Sequence, residues 1–309
     1  MDSKPRIAVI GSYAVGMTMM CQAFPIGGET VPGHDFAAVH GGKGSNQAVA
    51  ARRAGAEVLY GGCVGRDSFG DGAEALYRAE GIDARFLRRS SRGLSTGVGF
   101  VIVNAEGENE IVIDFAANNE FSPADVDAML PELKSCALLL MQLESDLDTV
   151  YYAAQKCREH GIPFVLNPAP FRPLPEGLPE LCTYLTPNQT EARQLLGLPA
   201  DDPTEDGEIA RRIHALGVKT VIMTLGGDGA MIVTDGVCKR IPGIRVNAVD
   251  TTGAGDTFSA AFCVALAEGK SVEEAVGFAN VAAGLAVTKY GVVEGIPTRK
   301  EIDAYGSAD

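Results

Sequence analysis

The chain has 309 residues, of which 46% are hydrophobic and 21% charged, and its formal net charge is −14. This composition is typical of a globular protein with a sizeable core, and it excludes an intrinsically disordered chain. The negative charge argues against a nucleic acid or an anionic membrane surface as partner, although N–H groups and single lysines can still bind a small anion.

The seven cysteines are widely spaced, include no Cys-x-x-Cys pair and are odd in number. Most of them lie in apolar runs, which is typical of core thiols in a reducing compartment. A strand is predicted almost at once, from Arg6, without a charged leader before a long apolar segment, and no run is long enough to span a bilayer. We therefore expect a cytoplasmic protein.

The first predicted elements are one buried strand and part of a separate small sheet. Residues 7–12 are an apolar run that closes on glycine, as in a buried strand whose carboxyl end opens on a ligand crevice. Prolines and glycines interrupt residues 13–40, which favours strands and turns over a helix. Residues 97–103 and 110–115 are predicted to form a hairpin. We assign segments 13–40 and 93–121 to one β-sheet lid.

Strands and helices alternate in the other segments, which are residues 1–12, 41–92 and 122–309. After a glycine-rich turn at 41–47 and a helix at 48–54, strands are predicted at 57–61, 137–142, 163–168, 184–186 and 220–224, with 230–234 returning antiparallel. Helices are predicted at 70–80, from 122 onward, and at 148–160, 189–196, 208–216 and 272–287. This rhythm implies a doubly wound α/β fold, in which helices cover both faces of a mostly parallel sheet.

One turn, residues 250–256, combines small residues, a helix start and two carboxylates. A strand is predicted before it at 244–249 and a helix after it at 257–266, so the N–H groups of residues 253–255 would form an anion site at a helix N-terminus. Asp256 would lie beside the bound anion, where a carboxylate suits a proton acceptor. The alternative is a tight connection in which this carboxylate only interacts with the helix dipole.

Five segments together resemble the PfkB family of sugar kinases, and most closely its ribokinases. Residues 41–48 look like the first family signature and residues 250–262 look like the second. The segments 141–145, 167–170 and 186–191 match intervening blocks in the family's order. Because the resemblance covers nearly the whole chain and combines two signatures with three blocks, it is specific.

The resemblance implies a carbohydrate kinase that transfers a phosphoryl group from ATP, with Mg²⁺, to a hydroxyl of a ribose-like sugar, with a primary hydroxyl preferred. Asp256 would act as general base, and a backbone anion hole would stabilise the charge that develops on the phosphate. Lys43 would face that phosphate, or would otherwise be a solvated loop lysine. The implied catalytic residues are Lys43, Gly253, Ala254, Gly255 and Asp256.

A nucleotide side of the site is also implied. Asn188 and Glu191 resemble an Asn-x-x-Glu element that orders Mg²⁺ and phosphates through water, and the alternative is a helix start capped by Asn188. The implied nucleotide contacts are Asn188, Thr224, Gly226, Gly229, Gly253, Gly255 and Asn280. The ordinary explanation of the glycines is that they form turns, and that of Asn280 is that it is a polar helix residue.

The acceptor side contains a departure from the ribokinase pattern. The implied substrate contacts are Ala14, Gly16, Gly41, Gly42, Lys43, Asn46, Glu144 and Asp256. Ribokinases read Gly-Ser-x-Asn-x-Asp in the first block, where the Asn and Asp hold sugar hydroxyls, and this chain has Ala14 and Gly16 there. Loss of such groups changes discrimination by orders of magnitude. We therefore expect an acceptor other than ribose, either a bulkier or less hydroxylated sugar or a nucleoside.

A monovalent cation site is implied near the anion hole, and it favours activation by K⁺. The residues implied to form it are Asp250, Thr252, Ala286 and Gly291. Gly295 stands where ribokinases commonly have serine, which is a second departure. The resemblance also implies a homodimer through the lid sheet, and apolar strand residues such as 98–103 favour such burial.

Other functions remain open. A nucleoside kinase on the same fold would use the same chemistry, and a non-catalytic sugar- or nucleotide-binding sensor would need neither Asp256 nor Lys43. The presence of both residues counts against the sensor. A Rossmann dehydrogenase is disfavoured because no Gly-x-Gly-x-x-Gly follows the first strand.

Overall fold

The structure, a computed structural model, describes residues 4–306. Its strands are Arg6–Ile10 (β1), Ala14–Cys21 (β2), Gly33–Gly41 (β3), Glu57–Val64 (β4), Asp83–Arg89 (β5), Gly97–Val103 (β6), Asn109–Asp114 (β7), Leu139–Met141 (β8), Phe164–Leu166 (β9), Tyr184–Leu185 (β10), Thr220–Thr224 (β11), Ala230–Thr234 (β12) and Val237–Ile241 (β13). Its helices are Lys43–Arg53 (α1), Ser68–Glu80 (α2), Pro123–Leu133 (α3), Leu147–Glu159 (α4), Gln189–Leu195 (α5), Asp206–His214 (α6), Ala254–Ala267 (α7), Val272–Ala286 (α8), Val292–Gly295 (α9) and Arg299–Gly306 (α10).

Nine strands form one large sheet in the order β13-β12-β11-β10-β9-β8-β1-β4-β5. The neighbours from β11 to β5 pair in parallel, whereas β11–β12 and β12–β13 are antiparallel pairs at one edge. Helices α1, α2, α7 and α8 contribute to the core on one face, and α3, α4 and α6 contribute to the core on the other. The predicted doubly wound, mostly parallel fold is confirmed.

Strand β1 shows why the centre of this sheet is stable. Ile7 and Val9 belong to one hydrophobic cluster, while Ala8 and Ile10 belong to the cluster on the opposite face. Successive side chains of a strand point to opposite faces, so a continuous apolar run fits a strand covered on both sides. Each of these four residues is fully buried.

The carboxyl ends of four neighbouring parallel strands place polar residues along one edge of the sheet. Ser12 follows β1, Gln142 and Glu144 follow β8, Asn167 follows β9 and Thr186 follows β10. In sheets of this kind the crevice at the carboxyl edge is the usual ligand site. The fold therefore assembles polar side chains where the sequence predicts chemistry.

Four strands form a separate sheet in the order β3-β2-β6-β7. The hairpin predicted within residues 93–121 is present as the antiparallel pair β6–β7, and β2 pairs in parallel with β6. A smaller sheet beside the large one is thus confirmed. Its role as a lid and the exact boundaries of the two parts stay predictions.

The secondary structure departs from the predictions in several places. Residues 244–249 form no strand, because the segment lies on α8 instead of pairing: Val249 N donates to Val287 O at 2.7 Å. A Cβ at Gly284 would collide with Ile244, so this isoleucine packs directly onto the helix. Strands β5 and β13 were not predicted, and two helices that were not predicted, α9 and α10, follow α8.

No helix within residues 4–306 has both the length and the apolarity that a membrane span requires.

Candidate active site

Asp256 is the third residue of α7 and is only 5% exposed. Asn46 Nδ2 donates to its Oδ2 and Gln47 Nε2 donates to its Oδ1, each at 2.9 Å. Because Asn46 and Gln47 are consecutive residues near the start of α1, two helices meet at this carboxylate. Both oxygens are hydrogen-bonded, and the plane of the carboxylate is therefore fixed.

Asp256 lies on a cavity of about 140 Å³ at the carboxyl edge of the large sheet. Its lining includes Lys43, Asn188, Glu191, Gly253, Gly255 and Asp256. A buried carboxylate, a cation and the first turn of a helix thus share one crevice. Of the five residues implied to be catalytic, all but Ala254 line this cavity, and their catalytic roles stay a prediction.

Lys43 is the first residue of α1 and faces three carboxylates. Burial disfavours its ammonium, but the charges of Asp256, Glu144 and Glu191 outweigh burial and raise the pKa of Lys43. The lysine therefore carries a positive charge inside the crevice at neutral pH. A cation held in this way can neutralise negative charge on a bound phosphate.

Glu144 ties the start of α1 to the end of β1. Its Oε2 accepts a hydrogen bond from Ser12 Oγ at 2.5 Å and another from Lys43 N at 2.8 Å. Burial raises the pKa of Glu144, and the bonds from Ser12 and Lys43 oppose that rise. Through its bond from Lys43 N, the Glu144 carboxylate fixes the backbone of Lys43 at the carboxyl edge of the sheet.

The glycines at the start of α7 are consistent with an anion-binding site at the helix N-terminus. Gly253, the N-cap, has a left-handed φ of 78°, and a Cβ there would lie 2.5 Å from Val292 Cγ1, so packing requires glycine. A Cβ at Gly255 would meet no atom within 4 Å, so packing does not explain that glycine. Space beside a helix N-terminus suits the close approach of a ligand.

The three predicted N–H donors are not equivalent. Ala254 N donates to Thr251 O over a long 3.3 Å, whereas the N–H groups of Gly253 and Gly255 have no acceptor among the residues that the structure describes. Unpaired N–H groups at a helix start are available to an anion. Gly253 and Gly255 are therefore the better donors, and Ala254 is partly occupied.

Asn188 and Glu191 form a reciprocal cap at the start of α5. Asn188 Oδ1 accepts from Glu191 N at 2.8 Å, and Glu191 Oε2 accepts from Asn188 N at 2.9 Å. The capping interpretation is thus what the structure has, yet both residues also line the cavity. Burial raises the pKa of Glu191 against the opposing effects of the Asn188 N–H and Lys43.

The predicted nucleotide contacts divide into two groups. Thr224 lines the cavity, and Gly226 has a left-handed φ of 59° with open space beside its Cα. By contrast, a Cβ at Gly229 would collide with Ile241 O, so packing accounts for this glycine. Asn280 Nδ2 donates to Ile241 O at 3.2 Å and to Pro242 O at 3.0 Å, and Asn280 therefore supports the loop after β13 rather than lining the cavity.

A family model described as pfkB family carbohydrate kinase matches residues 4–299. The chain belongs to the PfkB family of carbohydrate kinases. It is 39% identical to a ribokinase of Haemophilus influenzae, with 96% of this chain and 97% of that protein covered. It is 37% identical to a deoxyribokinase of Salmonella typhi, with coverage of 97% and 98%.

Among solved structures, the chain is similar to a ribokinase of Arabidopsis thaliana described as complexed with ribose and ATP. The TM-score is 0.89 and the identity 31%, and the comparison covers 98% of each chain. The protein is therefore a ribokinase-family sugar kinase, a phosphotransferase that acts on a hydroxyl group. The predicted family and enzyme class are confirmed.

The residues that the resemblance implies for the acceptor include Ala14 and Gly16 on β2, and Gly41 and Gly42, through which β3 leads to α1. Gly42 has a left-handed φ of 89°, and a Cβ there would lie 2.7 Å from Ala14 N, so this contact needs glycine. Ala14 pairs with Gly41, and Gly16 pairs with Val39. Asn46 Oδ1 is buried and has no hydrogen-bond partner among the described residues.

Asp250 closes the loop at which the family resemblance implies a cation. Its Oδ1 accepts from Thr252 N at 2.9 Å and its Oδ2 accepts from Gly291 N at 3.1 Å. Burial acts to raise the pKa of Asp250, but these hydrogen bonds outweigh burial and lower it. A Cβ at Gly295 would lie 2.7 Å from Ala286 O, so this loop is closed around a glycine.

Sequence reasoning missed Gln47, Asn167 and Thr186 as parts of the site. Asn167 and Thr186 line the cavity, and Gln47 donates to Asp256. The available signal was a pair of consecutive amide residues that opens an otherwise alanine-rich helix. Helix propensity favours alanine at these positions and therefore does not explain the two amide residues.

Proposed function

We propose that this protein transfers the γ-phosphoryl group of ATP to a hydroxyl of a small sugar, with Asp256 as the base that accepts the hydroxyl proton. The observation that supports this best is the shared cavity, where a buried carboxylate held by two amides faces Lys43 and the open first turn of α7. Phosphoryl transfer depends mainly on positioning and on charge stabilisation, and these residues provide both.

In the proposed reaction the acceptor oxygen forms a bond to the γ-phosphorus while the bond to the bridging oxygen breaks and ADP leaves. Asp256 takes the proton of the attacking hydroxyl. Lys43 and the N–H groups of Gly253 and Gly255 interact with the oxygens of the transferred group. No covalent bond to the protein forms.

Mg²⁺ fits the donors on the nucleotide side. Glu191 uses Oε2 in its helix cap, and the residue lines the cavity. Mg²⁺ prefers oxygen ligands and retains several waters. We place Glu191 near the metal through water and Asn188 beside it. When bound with ATP, the metal neutralises phosphate charge.

We propose that the preferred acceptor is less hydroxylated than ribose or bulkier than ribose. Across the small sheet, Val39, Gly16, Gly99 and Ile113 pair in one row, and this row offers no polar side chain. The Asn46 Oδ1 atom remains as a buried acceptor for one hydroxyl. A deoxyribokinase at 37% identity is about as similar to this chain as a ribokinase at 39%, so the comparison is compatible with a sugar that has fewer hydroxyls but does not select it.

The test is ADP formation with ATP, Mg²⁺ and a panel of ribose, 2-deoxyribose, hexoses and nucleosides. We expect the highest kcat/KM on a sugar other than ribose. Equal kcat/KM on ribose and on the best acceptor would refute the substrate proposal, and a nucleoside as best acceptor would replace the sugar. Absence of ADP formation with every acceptor would refute the kinase proposal and favour a sensor.

We also propose a homodimer through the small sheet. Phe100 and Val112 face each other in register and are 51% and 72% exposed, which is unusual for a contiguous apolar pair on a monomer. Sedimentation of the wild type should give a dimer, and Val112→Lys should give a monomer. Val237→Lys, on an edge strand of the large sheet, is the control and should remain dimeric. A monomeric wild type would exclude this assembly.

We propose a reducing compartment such as the cytoplasm for the protein. The seven cysteines are unpaired thiols, and six of them are buried. Unpaired thiols are typical of proteins from reducing compartments.

A further inference from the structure

A chain of buried amides leads from the large sheet to the Asp256 carboxylate. Gln142 Nε2 donates to Gln47 Oε1 at 2.5 Å. Gln47 Nε2 donates to Asp256 Oδ1 at 2.9 Å and to Asn167 Oδ1 at 3.1 Å. Asn167 Nδ2 donates to Thr186 O at 2.9 Å. The carboxyl ends of β8, β9 and β10 are thereby connected to α1 and α7.

The donor and the acceptor of every hydrogen bond in this series of amides follow from the backbone carbonyl of Thr186. A backbone carbonyl can only accept, so Asn167 must present Nδ2 to Thr186 O and Oδ1 to Gln47. Gln47 must then present its N–H groups on the side where Asp256 lies. An ionised carboxylate is likewise only an acceptor, so the two neighbours require the same orientation of the Gln47 amide.

We infer that Gln47 is a positioning residue for the base: its amide holds the Asp256 carboxylate, through Oδ1, in the orientation that accepts the hydroxyl proton. The inference rests on the proposed function. Asn46 holds Oδ2 by one hydrogen bond. Without Gln47 this would be the only amide bond to the carboxylate, and the carboxylate could rotate about it. A misplacement of about 1 Å near reacting atoms can cost about 10²-fold in rate.

A role limited to packing does not explain the residue. Gln47 is fully buried, and a buried amide is costly unless its polar atoms find partners. Its N–H groups reach Asp256 and Asn167, while its oxygen accepts from Gln142. An apolar side chain of the same length would fill the space without those requirements.

The test compares Gln47→Met and Gln47→Glu with Gln142→Met, using the full-length chain and the best acceptor of the panel. Gln47→Met has nearly the same length and lacks donors, and Gln47→Glu replaces the donor by a second carboxylate. Gln142→Met disturbs the same buried chain but leaves both amide bonds to Asp256. Measurements are kcat, both KM values, the pH profile of kcat/KM and the melting temperature.

We expect Gln47→Met to lower kcat by about 10- to 100-fold with little change in the KM for ATP. The acidic limb of the kcat/KM profile should move to higher pH, because the ionised base loses a charge-assisted hydrogen bond. Gln47→Glu should move that limb further, since two adjacent carboxyl groups favour sharing a proton. Gln142→Met should lower the melting temperature and leave the limb in place.

The inference is overturned if the Gln47 variants keep the wild-type acidic limb, or if Gln142→Met moves it equally. Asp256→Asn separates this result from a failure of the proposed function. If Asp256→Asn is inactive and the limb of the Gln47 variants is unmoved, only the positioning role fails. If Asp256→Asn retains the wild-type rate, the base assignment and the positioning role fail together.

Discussion

The carboxyl edge of the large sheet and the small sheet beside it differ in how their polar groups are treated. At the edge, Asp256 has two amide donors, Glu144 has Ser12 and Lys43 N, and Glu191 is held in a helix cap. The matching row of the small sheet contains glycine and apolar residues. We therefore expect the edge to serve the reaction and the small sheet to select the acceptor.

This contrast has a physical basis. Phosphoryl transfer needs charges and donors fixed within a fraction of an ångström, which only buried and fully hydrogen-bonded side chains provide. Acceptor selection needs only that polar groups be matched or left unmatched, so exchange of one or two side chains can change it.

Asp256→Asn should reduce kcat by about 10²- to 10⁴-fold, because the amide cannot accept the hydroxyl proton. The KM for ATP should change little, since Asp256 acts on the acceptor. The rate of ADP formation at saturating acceptor measures this effect. Asp235→Asn, a surface carboxylate at the turn between β12 and β13, is the control and should keep the wild-type rate. If the kcat of Asp256→Asn lies within tenfold of wild type, Asp256 is not the catalytic base.

Lys43→Met should lower kcat by about 10²- to 10³-fold, the usual cost of losing one group that stabilises developing charge. The negative charges of three carboxylates outweigh burial and raise the pKa of Lys43. The lysine therefore stays protonated at pH values below the ordinary lysine pKa of about 10.4. The wild-type kcat should therefore show no loss from Lys43 deprotonation below about pH 10.

Lys289→Met, at an exposed ion pair with Glu301, serves as the control for this change and should retain activity. A wild-type kcat in Lys43→Met would contradict the role of Lys43, whereas a fall in wild-type kcat between pH 8 and 9 that Lys43→Met abolishes would contradict its raised pKa.

Features set by local pattern and features set by long-range packing differ in how far the sequence predicts them. The apolar run of β1 and the glycine turn before α7 predict the fold and the position of Asp256, because local pattern and local chemistry agree there. The Gln47 contact could not be predicted, since it joins residues that are 209 positions apart and depends on how α1 packs against α7. The strand predicted at 244–249 failed for a related reason: its apolar residues are satisfied by α8, not by a neighbouring strand.

The double variant Ala14→Asn, Gly16→Asp tests the other side of the comparison. Restored polar side chains should raise the ratio of kcat/KM on ribose to that on the preferred acceptor by about 10- to 100-fold, the effect of one or two hydrogen bonds to hydroxyls. The site has room, because a Cβ at Gly16 would lie 3.6 Å from Val39 Cγ2, an ordinary contact.

Ala14→Ser, Gly16→Ala is the matched control for the acceptor prediction, since it adds atoms without the long polar groups. The ratio should then stay within about threefold of wild type, as expected for small changes in packing. If the polar double variant leaves the ratio unchanged, acceptor choice does not depend on these two positions, and the division between edge and small sheet is incorrect.

Potassium should have the smallest effect, a rise in kcat/KM of about twofold to tenfold over a buffer with a bulky organic cation, equivalent to about one modest polar interaction. Asp250→Asn should abolish the response, because the carboxylate supplies the negative charge of the loop, while Asp235→Asn should keep it. A flat response of the wild type would exclude the site. Gly295→Ser should not increase the response, although it restores the serine of the ribokinase pattern: its Cβ would lie 2.7 Å from Ala286 O, and the loop would have to move before the hydroxyl reached the cation.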